Sequence, residues 1–255
     1  MLTLWTLGLL TACEPPPPPD DRGAHAEALA LLATPTEALA ACRTIDSTRA
    51  PSLAADCRWA IAEALAPDDP AGAGAACADL TALNSLAAEE CWFIVAEGSG
   101  DGAACDKAGR FEQDCRMHLL TRAALRWPRD LSVTGVAVKG LDAINAAGLS
   151  SDDQDAWMAA YRVTAARQPP PLDRPACLVA LTRGLREACQ AAAEGVFHDR
   201  LNRARDRGMD LCEGELPDQV AYVPDAALDR ILAERRAADL CDPDAVRPPP
   251  PNGAP

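Results

Sequence analysis

The sequence predicts an all-α protein, an array of antiparallel helical hairpins in the manner of an α-solenoid, stapled by disulfides. Three observations lead there. The chain has 255 residues, of which 54 are alanine and only ten are aromatic. Alanine loses no side-chain entropy on entering a helix, whereas the β-branched and aromatic residues that favour strands are sparse and rarely alternate. Helix-start signals recur along the chain, and cysteines return in pairs within a repeating unit.

The start signals are local chemistry. Thr34-Pro35-Thr36-Glu37 has the form of a capping box with proline at the first helical position, and Asp69-Pro70 offers a second start. Ser150 and Asp153 predict a helix carrying Trp157 and Tyr161, four residues apart and therefore on one face. Asp225 predicts a cap for a helix from Ala226 to Leu240, with Leu228, Ile231 and Leu232 on its inner side. Trp127-Pro128-Arg129-Asp130 ends one helical stretch, and residues 168–175, rich in proline, separate two more.

Eleven cysteines occur, at 13, 42, 57, 77, 91, 105, 115, 177, 189, 212 and 241. Four of them open a recurring unit, each directly after alanine (Cys42, Cys77, Cys105 and Cys177), and each has a second cysteine 10 to 15 residues later. The segments after Cys57 and Cys91 agree as well, with Ala62-Glu63 and Ala96-Glu97 at equal offsets, 34 residues apart, the length of one two-helix repeat. A gap of this size suits a helix, a turn and the start of an antiparallel helix, which brings the two cysteines face to face. The predicted pairs are Cys42–Cys57, Cys77–Cys91, Cys105–Cys115 and Cys177–Cys189, leaving Cys212–Cys241 by elimination. No two cysteines have the two- to four-residue gap of zinc sites, and no Cys-x-x-Cys redox centre exists.

Cys13 is the cysteine set apart. Leu2 to Leu10 is a short apolar run that ends in Leu10-Thr11-Ala12-Cys13. This ending resembles the lipobox of bacterial lipoproteins, in which the cysteine thiol receives a diacylglycerol and the preceding peptide bond is cut. The resemblance implies a signal peptide over residues 1–12, lipidation of Cys13, and attachment to a membrane of the bacterial envelope, on its periplasmic face or at the cell surface. No Lys or Arg precedes the apolar run, although export signals ordinarily begin with positive charge. Simple secretion is the alternative. The run is too short to span a bilayer, which needs about 20 apolar residues. Residues 13–22 include five consecutive prolines and read as a stiff tether. Residues 23–246 form the helical body, with a break possible near 168–175, and residues 247–255 a proline-rich tail expected to be disordered. The thirty-odd-residue hairpins with cysteines resemble Sel1-like and tetratricopeptide repeats in general style, over residues 36 to 125. The Trp-x-x-Leu-Gly-x-x-Tyr pattern of the latter is absent, so no family residue carries over.

A formal net charge of −14 opposes nucleic acid as a partner, since phosphates require a basic face. The excess of 22 arginines over two lysines reads as genome composition. No catalytic, cofactor or metal residue is assigned. The three histidines, His25, His118 and His198, have no second histidine at i+4, and no nucleophile elbow or phosphate-binding loop occurs. The glycines of residues 98–102 read as a linker, and the acids Asp152, Asp153 and Asp155 as a solvated helix start. The expected function is a non-enzymatic envelope lipoprotein that binds another protein or acts as a scaffold, held to the membrane by its lipid. The alternatives are an envelope hydrolase acting on peptidoglycan or peptides, and a structural or stress lipoprotein without a fixed partner.

Overall fold

The computed structural model describes residues 20–212 and 216–237, and over these the chain is helical. The described residues form ten α-helices with short 3-10 turns, and their only β-type pairing is an isolated bridge between Leu172 and Tyr222. It is the disulfide-stapled array of antiparallel helical hairpins that the sequence predicts, with helices packed chiefly on their neighbours in the chain. Cys13, the stretch expected to be a signal peptide, most of the expected tether and the expected C-terminal tail lie outside the described residues.

The chain divides into two compact units between Ala88 and Glu89. The chain does break at 168–175, but as a connection inside the second unit, because the helices on either side of it pack on each other. The first unit holds α1 (Asp21–Ala30), α2 (Pro35–Arg43), α3 (Pro51–Leu65) and α4 (Pro70–Leu80). Three of these open on proline, whose missing N–H costs nothing where no intrahelical partner exists. Asp69 caps α4 by accepting from the Gly72 N–H, as its sequence predicts. The capping box at Thr34 does not form: the Thr34 hydroxyl donates instead to the Leu31 carbonyl at the end of α1. The first helix also begins at Asp21, within the stretch assigned to the tether, because Asp20 caps it.

The core of this unit is made of small side chains. Ala28, Ala38, Ala54, Ala62, Ala73 and Ala76 are buried beside Leu39, Ile61, Leu65 and Leu80. The Cys42–Cys57 disulfide ties α2 to α3 with the two Cα atoms 5.7 Å apart, inside the range of about 4.4–6.8 Å that a disulfide spans.

The boundary between the units falls within α5 (Ser85–Ser99), which lies 34 residues beyond α3 and has the same length of 15 residues. The second unit continues through α6 (Glu112–Leu125), α7 (Val133–Ala146), α8 (Gln154–Arg167), α9 (Arg183–Asp206) and α10 (Ala226–Arg235). Asp153 caps α8 by accepting from the Asp155 and Ala156 N–H groups. Asp225 caps α10 through the Ala227 N–H, with Leu228, Ile231 and Leu232 buried beneath. Helix α8 packs on both α6 and α9. A second apolar cluster gathers Phe197, Leu201, Leu172, Val220, Leu228 and their neighbours between α9 and α10.

Two further disulfides lie here, Cys105–Cys115 and Cys177–Cys189, with Cα separations of 5.7 and 5.6 Å. Their first limbs differ from the expected helix: Cys105 and Cys177 sit in 3-10 turns, Gly102–Lys107 and Pro175–Val179. Gly102 and Pro175 open these turns. Cys77 and Cys91 are disulfide-bonded, as is Cys212, whose predicted partner Cys241 lies outside the described residues.

The arginine excess has a structural use that the sequence reading did not assign. The last carbonyls of a helix lack intrahelical donors. Arg122 donates to the Glu97 carbonyl of α5 at 2.7 Å, Arg116 to Ala147 just after α7 at 3.0 Å, and Arg167 to Ala124 of α6 at 3.1 Å. Arg200, buried within α9, reaches the Ala165 and Gln168 carbonyls at the end of α8. A guanidinium is planar, weakly hydrated and rich in donors, so it can serve two carbonyls where an ammonium would stay hydrated. Within the second unit, arginines thus link one helix flank to the next helix end.

Candidate functional site

Among the described residues of the second unit, most of the exposed large apolar side chains lie on α7 and on the stretch before α9, with Leu125 standing apart on α6. Leu178, Val179 and Leu181 are 58, 64 and 72 % exposed, on the short stretch between the proline-rich break and α9. The 3-10 turn that bears Leu178 and Val179 packs against α7. On α7, Val138 and Leu141 are exposed too, three residues apart and therefore on one face. Five large apolar side chains in water at one corner expose on the order of several hundred Å², the size at which a monomer's largest patch is often functional.

Beside this patch lies a hollow of about 530 Å³ lined by Leu141, Ser151, Asp152, Gln154, Trp157, Thr182, Gly184 and Leu185. Each wall is fixed locally. Trp157 is nearly buried, and its indole N–H donates to the Ser151 carbonyl at 2.8 Å, which holds the ring in the floor. Gly140 permits that position, because a Cβ there would meet the Trp157 ring at 2.6 Å. Thr182 caps α9 by accepting from the Leu185 N–H. The Cys177–Cys189 disulfide anchors the apolar segment to α9 from its other side.

The electrostatics of the hollow are simple. Asp152 is the one ionisable side chain in its lining, and its carboxylate has no hydrogen-bond or ion-pair partner among the described residues. Nearby Arg183 is paired with Glu187 at 2.7 Å. Tyr161, one turn beyond Trp157 in α8, is buried and donates to the Val133 carbonyl, and burial pushes its hydroxyl up to about 12.

The histidines are spread apart. His118 contacts Glu97 at 3.1 Å and stacks obliquely on Phe93, whereas His25 and His198 are half-buried on other helices. Asp199, next to His198, pairs with Arg162 at 2.8 Å. Asp101, in the glycine loop, caps the following turn by accepting from the Ala103 N–H, so its carboxylate serves the backbone. Among the described residues, no group of three or more His, Cys, Asp or Glu is placed to hold a metal ion. No described helix is long and apolar enough to cross a membrane.

The apolar corner was missed in the sequence. Residues 168–175 stand out as a break, but Leu178-Val179-Ala180-Leu181 has neither helical nor alternating period to mark a face. Four apolar residues between a proline-rich break and a threonine helix cap are the signal that marks them. Comparison with protein-family models, with curated proteins and with solved structures finds no match for this chain.

Proposed function

We propose that this protein is a lipoprotein of the bacterial envelope whose helical body binds another protein through the apolar corner around Leu181. The observation that carries the reading is the exposure of Leu178, Val179 and Leu181 beside a preformed hollow. Leaving such groups in water is unfavourable by about 25 cal/mol per Å² of apolar surface, so their covering by a partner is the natural source of binding energy. The segment is held by a disulfide, a helix cap and a contact with α7, so little conformational entropy is lost when it is covered.

The envelope address has separate support. The run ending in Leu10-Thr11-Ala12-Cys13 is similar to a lipobox, and an even set of cysteines remains once Cys13 is set aside. Disulfides form and persist in oxidising compartments such as the periplasm and the cell surface. Stacked helical hairpins commonly bind other proteins, which supports a binding or scaffold role by architecture alone.

Two experiments test this. A photo-cross-linker placed at Leu181 in intact envelopes should form a discrete adduct that disappears when Leu178→Asp is introduced beside it. No adduct dependent on the patch would refute the binding role. Cys13→Ser should abolish palmitate labelling and release the protein from the membrane; continued labelling would refute the anchor.

A further inference from the structure

We infer that the partner's contacting segment is apolar along one face and edged with lysine or arginine, and that it seats a side chain in the hollow beside Asp152. The inference rests on the protein-binding reading above and names the chemistry of what is bound.

The hollow decides the sign of the charge. Its walls offer apolar carbon from Leu141, Leu185 and the Trp157 ring, and short polar groups from Ser151, Thr182 and Gln154. None of these carries charge. The Asp152 carboxylate is exposed and unpaired, whereas Arg183, the cation at the start of α9, is already matched by Glu187. The carboxylates of Asp155 and Asp142 are exposed on the neighbouring turns and have no hydrogen-bond or ion-pair partners among the described residues. Lys139 and Arg186 are the exposed cations in the vicinity, and neither lines the hollow. A segment with an acidic edge would meet an unmatched carboxylate in the lining of the hollow. A basic edge would pair with it. The formal charge of −14 over the whole chain works in the same direction at long range, raising the local concentration of cationic partners.

The geometry of the patch fits one face of a short amphipathic element. Val138 and Leu141 share one face of α7, the 3-10 turn that bears Leu178 and Val179 packs against that helix, and Leu141 also lines the hollow. Helix-in-groove recognition places apolar side chains at intervals of three and four residues into such a surface, leaving the flanks for charge.

The test uses the full chain and two synthetic probes of helical period, a leucine–lysine peptide of about 14 residues and its leucine–glutamate counterpart. Binding is followed by titration calorimetry. The leucine–lysine peptide should bind saturably and the leucine–glutamate peptide should not. Leu181→Asp, at a side chain 72 % exposed, should leave the helical content unchanged and weaken binding at least about tenfold. Asp152→Asn should weaken it by about two- to five-fold, the range of an exposed ion pair. Equal binding of both probes, or binding of the basic probe unaffected by Leu181→Asp, would overturn the inference. If the basic probe fails while patch-dependent cross-links still form in envelopes, the partner's charge is wrong and the protein-binding reading stands. If neither probe binds but neutral phosphatidylcholine vesicles do, with loss on Leu181→Asp, the corner meets a lipid surface and both readings fall.

Discussion

Two helical pairs in this molecule are held together by different means. The α2–α3 pair is joined by the Cys42–Cys57 disulfide and packs alanines, cysteines and a few aliphatic residues. The α7–α8 pair has no cysteine; Trp157 sits against the bare backbone of Gly140 and Tyr161 donates to the Val133 carbonyl, with Val136 and Ile144 buried on α7. Small side chains let helices approach but bury little area each, so a covalent tie supplies what bulk would otherwise supply. A large aromatic next to a glycine achieves the close approach without one. The contrast teaches that cysteine and aromatic residues are alternative answers to the shortage of area in an alanine-rich core.

The contrast breaks most visibly at Trp157. Its substitution by alanine removes a nearly buried indole and should cost about 3–5 kcal/mol, the range for a large aromatic in a core. Urea unfolding should show a lower midpoint, and hydrogen exchange should locate the loss on α7 and α8. An unchanged midpoint would mean that the ring contributes little and that α6 and α9 alone hold α8 in place. The double substitution Cys42→Ser with Cys57→Ser comes next. The bridge spans 15 residues, for which chain entropy gives about 3 kcal/mol. Exchange protection should fall on α2 and α3 and stay intact on α7 and α8. Loss spread equally over both pairs would show that the division of labour does not exist.

How much of this was legible beforehand depends on how local the cause is. The caps at Asp69, Asp153 and Asp225 act on N–H groups two or three residues away, and the sequence shows them directly. The Thr34 box failed because the same hydroxyl had a competing carbonyl at Leu31, which only the turn between α1 and α2 brings within reach. Cysteine spacing indicated the staples, yet not that Cys105 and Cys177 would sit in 3-10 turns. The arginine links to helix ends join residues 25 to 43 apart for Arg122, Arg116, Arg167 and Arg200, and no local pattern encodes them. The candidate site was the least legible part. Leu141, Trp157 and Leu181 come from three segments, and their meeting is a product of packing.

Gly140 sharpens the comparison from the other side. In an isolated helix, alanine in place of glycine would stabilise by about 1 kcal/mol. Here the new Cβ would fall 2.6 Å from a carbon of the Trp157 ring, which the Ser151 carbonyl holds by its N–H. A rigid ring cannot yield as the tip of a flexible chain can, so α7 must move away from α8. Gly140→Ala should therefore destabilise by about 1–3 kcal/mol, as overpacking does. In the background of Trp157→Ala the same change should become neutral or stabilising. That reversal, read from the two unfolding midpoints, isolates the contact; equal effects in both backgrounds would refute it.

Tyr161 gives the smallest effect and a test by pH. Its hydroxyl is buried between α7 and α8 and is pushed up to about 12, whereas in the unfolded chain it ionises near 10. Burial disfavours the phenolate, so the unfolded state releases this proton first as pH rises. The contribution is fully present below pH 10 and is lost as pH climbs from about 10 towards 12. Tyr222, raised in the same direction by burial and by its bond to Asp229, adds a loss in the same window from the α9–α10 cluster. The two separate by substitution: Tyr161→Phe should flatten the alkaline fall in protection of α7 and α8 and leave that of α10 unchanged. Of the two helical pairs compared, α7–α8 holds a tyrosine whereas α2–α3 holds none, and the cystine joining α2 to α3 has no ionisable thiol. Protection across α2 and α3 should therefore change least between pH 9 and 11, and an equal alkaline loss there would show that the two helical pairs do not answer to different chemistry.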